Sequence, residues 1–529
     1  MFKKLVSLLL AISMMVIAFG AFAEVTPKGT LPIVNEPITL TVAIPVAAKC
    51  EDIHTNAFTL WIEEKTGIDL EIIELAPTDT ATQVNTIMLS GNLPDMFMCY
   101  YFGYDELASY VDAGYITDLT EYVEEYGDEY YKFLEETSIY GNGEAHVTIN
   151  GRIYGVPTMA DIVTSIYATN HLMMNGLFLD ALDAEMPTTL DELYDLLVRI
   201  RDEDVNGNGD PDDEIPLSGS TNRDFLIEQI GGAFQYTDKE TYLKVNDGEV
   251  EFIGANDEFH QTVEFLKQLL DEGLLDPAFF TQDDAALLTL NTQEYPLIGV
   301  NGSYISNQYD ASTDLMASLN IAPNLEGPDG YVSSNVITPT FDRSIVITTA
   351  CENVDAAFRL ADFLLSEEAA MYGRVGREGI EWAYADPAKG LNGRNGQPAK
   401  YELLKPQEWI LPSTNVIWRC NGFSHVDVFN YIGEDPNGMT GRLAKAVSDY
   451  DLVAQTSNEA LPQLLMDPET SAEYKELQKL ICNYVNENYA KFVLGDRSMD
   501  EWDAYVQTLE EIGIERYVQI AQEAYDAMN

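Results

Sequence analysis

Residues 202–214 read Asp-Glu-Asp-Val-Asn-Gly-Asn-Gly-Asp-Pro-Asp-Asp-Glu, seven acids in thirteen positions where the chain as a whole averages about one in six. Short carboxylate and amide side chains at alternate positions, with glycines for the tight turn, are what a hard, oxygen-seeking cation such as Ca2+ requires. Two registers of the pattern D-x-[DN]-x-[DN]-G fit. One begins at Asp202, has Gly207 sixth and ends on Asp213. The other begins at Asp204, has Gly209 sixth and places Asn206, Asn208 and Asp212 at positions 3, 5 and 9. The second is preferred, and because its twelfth residue is Ile215, Asp213 or Glu214 must close the shell early. The expected ligand set is Asp204, Asn206, Asn208, Asp210, Asp212, Asp213 and Glu214. A shell saturated with oxygens leaves no open position for catalysis, so the ion would be structural; without it, the carboxylates repel one another and the loop should be poorly ordered, and the alternative to an ion site is a solvated acidic turn.

Other chemistry is conspicuously thin. The histidines (His54, His146, His171, His260, His425) are scattered, with no H-E-x-x-H pair, no G-x-S-x-G elbow and no phosphate-binding G-x-x-x-x-G-K-[ST]. Carboxylate pairs of the glycosidase kind carry little information in a chain with 88 acids. The five cysteines (Cys50, Cys99, Cys351, Cys420, Cys482) include no C-x-x-C, which excludes a cysteine zinc site and a thioredoxin-type motif. A formal net charge of −59 repels nucleic acid and anionic lipid, so neither is an expected partner. With 46% hydrophobic residues the chain nonetheless has ample material for packed cores.

The elements that must position these residues alternate. Lys3 and Lys4, the apolar run Leu5–Phe19 and the small residues Ala21 and Ala23 form a secretory signal over residues 1–23. No cysteine follows it to take a lipid anchor, so the mature chain is expected to be secreted, periplasmic or cell-surface-associated, with no membrane insertion after cleavage. Loss of the two lysines takes the net charge from −59 to −61. After a proline-rich lead-in (24–37), strands at 39–46, 69–75 and 95–101 alternate with helices near 55–66 and 80–90. This order implies parallel pairing with helices on both faces. Thr189 and Glu192 fit a capping box ahead of Leu190, Leu193, Leu197 and Ile200. Phe259, Val263, Leu266 and Leu270 repeat the helical spacing up to Gly273. Strands return at 295–301, 318–323 and 344–350, and the last 90 residues read as helical, with Ser498 and Glu501 capping one helix. No clean linker divides the chain, which favours domains that exchange segments.

Several segments, in order, resemble the large extracellular solute-binding proteins of bacterial carbohydrate ABC importers. They are SGNLPDMF (90–97), LASYVDAGYITDLTEYVEE (107–125), NGRIYGVP (150–157) with SIYATN (165–170), and MPTTLDELYDLLVRIRDED (186–204). DVNGNGDPDDEIP (204–216) resembles the calcium loop of the alginate-oligosaccharide-binding branch and supports the second register. IGVNGSYISN (298–307), APNLEGPDG (322–330) and VDAAFRLADFLLSEEA (354–369) are similar, more distantly, to maltose-binding protein. LEEIGIERYVQIAQEAYDAMN (509–529) looks like the end of the lipoprotein-type branch.

The resemblance implies an α/β, two-lobed periplasmic-binding-protein-like fold (type II) with hinge strands and a helical C-terminal region. Lobe 1 would comprise 38–150 and 343–385, and lobe 2 would comprise 151–342 and 386–529. It implies a monomeric, non-enzymatic receptor that closes on an oligosaccharide and delivers it to the transmembrane subunits of an ABC permease. A sugar is held by aromatic faces and planar polar groups. Tyr304 stands where the maltose-binding pattern has a stacking aromatic. Tyr100 and Tyr101 end a strand at the carboxyl edge, where open α/β sheets bind ligands. Trp382 and Trp418 lie in polar, glycine-containing stretches beside Arg377 and Arg419, which complete the expected ligand contacts. A secreted glycosidase or lyase, a calcium-stiffened scaffold and a peptide receptor stand as alternatives.

Overall fold

The computed structural model describes residues 24–46, 50–138, 141–159, 171–221, 225–302, 318–333, 341–393, 397–405, 432–433 and 459–528. These fall into two compact α/β units: one built from residues 24–159 and Phe341–Arg377, the other from 171–333, 378–405, 432–433 and 459–528. Each is therefore assembled from separated stretches of chain, as the missing linker suggested.

The first unit is organised by a five-stranded sheet. Strand β1 (Ile38–Pro45), helix α1 (Ala57–Thr66), strand β2 (Ile68–Leu75), helix α2 (Thr80–Ser90) and strand β3 (Met96–Met98) follow in alternation, and helix α3 (Tyr104–Asp112) comes next. β1 pairs in parallel with β2 from Ile38↔Ile68 to Pro45↔Leu75, and with β3 at Val42↔Met96. The sheet is mixed rather than wholly parallel. Beyond β3 lies the return strand Phe341–Ile347, antiparallel both to β3 and to β4 (Val156–Met159). Both faces are covered, so β1 is buried almost continuously. Val42 and Ile44 enter one core with Met96, Met98 and Phe358, while Ala43 enters a second with Phe97, Phe102 and Val346. The lead-in is tied to this unit by the buried guanidinium of Arg359, which donates to the carbonyls of Thr26 and Thr30.

The second unit has a four-stranded sheet ordered Leu319–Ile321, Met173–Asn175, Ile298–Asn301, Ile215–Ser218, of which only the last pair is parallel. Helix Leu190–Asp202 buries Leu190, Leu193, Leu196, Leu197 and Ile200 against it. Its N-cap is as read, with Thr189 Oγ1 accepting from the Glu192 amide at 3.1 Å, but the Glu192 carboxylate reaches back to Thr188 instead of Thr189. Helix Asp257–Asp271 buries Leu269 fully, beside the expected Leu270, which packs partly buried against the same core. Helices Pro468–Leu494, Trp502–Ile512 and Ile514–Met528 complete the unit; Ser498 caps only a short 3-10 turn, Met499–Glu501, ahead of the second of them. A small sheet of Trp382–Tyr384, Tyr401–Leu403 and Ile432–Gly433 belongs to the same unit.

Candidate functional site

At the carboxyl ends of β1–β3 the first unit opens into a pocket of about 580 Å³, walled by residues 77–82 at the start of α2 and by Tyr100 and Tyr101 after β3. β3 ends at Met98, three residues earlier than the sequence suggests, because Cys99 adopts a left-handed φ of 60° that L side chains seldom take. Strain of this kind persists where surrounding bonds over-determine it. The Cys99 amide donates to the Ser344 carbonyl at 2.8 Å, and the Arg343 guanidinium donates through Nε to the Phe102 carbonyl at 2.7 Å. Both partners sit on the return strand where its pairing with β4 slips, between Asp342 and Ile345. A β-bulge re-aims side chains, and here it turns a buried cation onto the loop that carries the two tyrosines. Arg343 is 4% exposed, and burial draws its pKa down while Asp342 and Asp105 oppose that.

The tyrosines differ. Tyr100 donates its phenol proton to Glu106 of α3, at 3.1 Å from both carboxylate oxygens, and rests edge-on against Phe102 with centroids 4.7 Å apart. Burial, and then the carboxylate beside it, push the Tyr100 pKa well up, so the phenol stays neutral. Burial also raises Glu106, opposed by bonds from Tyr100, the Gly103 amide and Tyr110. Tyr101 is 41% exposed. The sequence missed Arg343, because its bond to the Phe102 carbonyl joins positions 241 residues apart, and it missed Glu106, whose bonds to Tyr100 and the Gly103 amide depend on the turn between β3 and α3.

Of the other expected contacts, Arg377 and Trp382 are not among this pocket's described lining residues. Arg377 is half-buried at the end of the last described stretch of the first unit. Trp382 is 8% exposed in the second unit, packed edge-on against Tyr401 at 5.0 Å and Tyr384 at 5.7 Å, with Tyr384 the exposed member of the cluster. Tyr304, Trp418 and Arg419 lie outside the described residues.

The acidic loop follows helix Leu190–Asp202 directly. Gly207 and Gly209 take φ of 74° and 94°, and a Cβ at either would meet no neighbour; the backbone conformation alone favours glycine there. The Gly209 amide donates to Asp204 at 2.9 Å, the Asn208 amide to Asn206 Oδ1 at 3.0 Å, and the Asp210 amide to Asn208 Oδ1 at 2.7 Å. The side-chain oxygens of positions 1, 3 and 5 of the second register thus turn inward, each amide oxygen retaining a second lone pair. Both asparagine Nδ2 groups reach Asp213, at 2.9 and 2.6 Å. Glu214 is 8% exposed; its Oε1 accepts from the Val205 and Asn206 amides, while Oε2 is buried with no partner. Among the described residues no Lys or Arg pairs with Asp204, Asp210, Asp212, Asp213 or Glu214, and no three His, Cys, Asp or Glu side chains form a ready-made metal cluster.

The family description "bacterial extracellular solute-binding protein" matches residues 51–371, and the chain belongs to that family. It is 26% identical over 504 residues to the fructooligosaccharide ABC transporter substrate-binding protein FusA of Streptococcus pneumoniae, covering 92% of this chain and 89% of that one. The structure of a FusA EF-hand mutant in complex with fructo-nystose superposes with a TM-score of 0.70 at 22% identity, covering 92% and 99% of the two chains. An HMO-binding, ABC-transporter-associated solute-binding protein from Bifidobacterium longum infantis superposes at 0.74 with 21% identity, covering 93% and 99%. The two-unit α/β architecture is the fold of these solute-binding proteins. Among the described residues no helix is long and apolar enough to cross a membrane.

Proposed function

We propose that the protein is the exported receptor of an ABC importer, capturing an oligosaccharide between its two units by hinge closure and handing it to a membrane permease. The carrying observation is the pocket at the carboxyl edge of the first unit's sheet. Tyr101, 41% exposed, stands there beside Tyr100, whose phenol is fixed on Glu106, in a loop that the return strand holds through the Cys99 amide and the Phe102 carbonyl. Aromatic faces cover the C–H surfaces of a pyranose or furanose ring, while fixed polar atoms meet its hydroxyls. The similarity to FusA over nearly the whole chain supports the same ligand class.

On this reading Tyr100 and Tyr101 supply the first unit's contacts, and Tyr304, Arg377, Trp382, Trp418 and Arg419 are the candidates for the remainder. The lobes are the two compact units, so the expected boundaries of 38–150 with 343–385 and 151–342 with 386–529 shift: residues 151–159 and 341–342 go with the first lobe and 378–385 with the second, and residues 1–23 are cleaved on export. The ligand binds the open form and favours the closed one by touching both units, and a permease that reads closure is thereby told the receptor is loaded.

The acidic loop fits Ca2+. The side-chain oxygens of Asp204, Asn206 and Asn208 turn onto the loop's own amides, no Lys or Arg pairs with its acids from Asp204 to Glu214 among the described residues, and the unpartnered Glu214 Oε2 is a buried acceptor awaiting a charge. A bound Ca2+ would supply the positive charge that lets these carboxylates pack together, with Asp204, Asn206, Asn208, Asp210, Asp212, Asp213 and Glu214 as the residues to hold it. FusA, which has an EF-hand, supports this assignment.

Thermal unfolding of the exported form against an oligosaccharide and oligopeptide panel tests the reading. A sugar-specific rise in midpoint, with the sugar recovered intact, is expected. A response to peptides alone, or cleavage of the sugar, overturns it.

A further inference from the structure

The second unit's sheet has a carboxyl edge of its own, and one side chain there is held ready for a sugar hydroxyl; the inference rests on the receptor reading above. Strands Ile215–Ser218 and Ile298–Asn301 run in parallel with Ser218 opposite Asn301, so both leave the sheet at the same edge. Open α/β sheets bind ligands outside such an edge. The Gly302 amide donates to the Ser218 carbonyl at 2.9 Å and joins the two exits. The segment 276–284 is laced to them. Ser218 Oγ donates to Asp276 at 2.7 Å, Ser220 Oγ to Asp284 at 2.6 Å, and the Thr221 amide to the Gln282 carbonyl at 2.9 Å.

Gln282 completes the lacing with its side chain. Its Nε2 donates to Ser218 Oγ at 2.8 Å and to the Gly219 carbonyl at 2.6 Å, so both amide protons are used. A main-chain carbonyl can only accept, which fixes the end of the amide that is nitrogen. Oε1 is what remains. It takes no bond among the described residues, Gln282 is half-buried, and, unlike Glu214 Oε2, this oxygen is not sealed from water. We propose that Gln282 is a sugar-binding residue of the second unit, its Oε1 accepting the proton of an oligosaccharide hydroxyl. A free glutamine would lose rotamer freedom on binding; this one has lost it already, so the bond to the ligand forms without that entropic cost. The run of bonds from Nε2 through Ser218 Oγ to Asp276 polarises the amide and strengthens Oε1 as an acceptor.

Calorimetric titration of the exported protein with kestose, maltotriose, xylotriose and mannotriose, paired with thermal unfolding, tests this. The parent should bind at least one of these sugars. Gln282→Met keeps the length of the side chain and removes its oxygen, and should bind that sugar at least about tenfold more weakly. Where the methionine variant does not fold, Gln282→Asn withdraws the oxygen by one methylene and should show the same loss. Ser220→Ala breaks the bond to Asp284 and makes no change at Gln282, so it should lower the midpoint while affinity stays within about threefold of the parent. Gln282 variants that bind within about threefold of the parent, or a Ser220→Ala whose affinity falls as far as theirs, overturn the assignment and leave the receptor reading standing. Silence of the parent toward every sugar overturns the receptor reading, and the assignment falls with it.

Discussion

Replacing Glu214 with glutamine should change the protein's stability in opposite directions depending on whether calcium is present. Glu214 Oε1 already accepts two main-chain N–H groups, at 2.8 and 3.1 Å, and a glutamine carbonyl oxygen can take both over. The second oxygen, buried and unpartnered, becomes an NH2 group. In chelator this exchange removes one negative charge from a loop that also holds Asp204, Asp210, Asp212 and Asp213. It exchanges an unsatisfied buried acceptor for an NH2 group buried in its place, so the gain is the relieved charge repulsion alone. The variant should therefore be as stable as the parent without calcium, or more so. With calcium the sign reverses, because the glutamine offers a donor where a cation needs an oxygen. Taking a dissociation constant of about 10⁻⁵ M for a site with two neutral amide ligands, 1 mM Ca2+ stabilises the parent by about 2.7 kcal/mol. At roughly 2 °C per kcal/mol for a unit of this size, that is a rise of about 5 °C. Differential scanning fluorimetry in 1 mM EDTA and in 1 mM CaCl2 reads both quantities. The parent should gain about 5 °C and Glu214→Gln less than about 1 °C. A parent midpoint that ignores chelator, or a variant that gains as much as the parent, would refute the reasoning.

Tyr101→Ala removes the exposed aromatic face while leaving the Tyr100–Glu106 bond in place, and should weaken sugar binding about tenfold or more with little change in midpoint. Arg343→Met removes a charge-assisted bond to the Phe102 carbonyl and should lower stability by about 2 kcal/mol in urea unfolding. An unchanged midpoint would show that the return strand does not hold the tyrosine loop. His171 is fully buried, and burial depresses its pKa to about 4 from the usual 6.5, against a weaker opposing bond with the Ala322 main chain. The unfolded chain therefore takes up a proton below pH 6.5 that the folded one refuses until about pH 4. That contribution is complete above pH 7 and declines through this window by up to about 3 kcal/mol. Stability measured from pH 7 to 4.5 should fall less steeply in His171→Gln than in the parent; equal slopes would exclude the effect.

Much of this was legible in the sequence because local chemistry specifies it. The helix after Thr189 has its cap and buried leucines written in consecutive turns. The acidic loop announces its turn through two glycines that the backbone requires in the left-handed region. What could not be read depends on residues far apart in the chain. β3 is shortened by Cys99, and the strain there is held by Ser344 and Arg343 on a strand that returns some 240 residues later. The same long connection makes the sheet mixed, since alternation of strands and helices cannot register a strand arriving from the other unit. Trp382 stood in a polar stretch and yet is covered by Tyr401 and Tyr384, because cross-strand aromatic packing leaves no mark on its immediate neighbours in sequence. Glu214 was a calcium candidate by spacing alone, and only the fold shows one of its oxygens buried and waiting.

The central claim is reversible capture of an oligosaccharide, and equilibrium dialysis of the exported protein with the best sugar of the panel tests it most directly. The sugar on both sides should be recovered after release and analysed by chromatography. The account predicts saturable retention approaching one sugar per protein, with chain length and reducing end unchanged. Retention absent at saturating concentration, or shortened or unsaturated products in the recovered sugar, would contradict it.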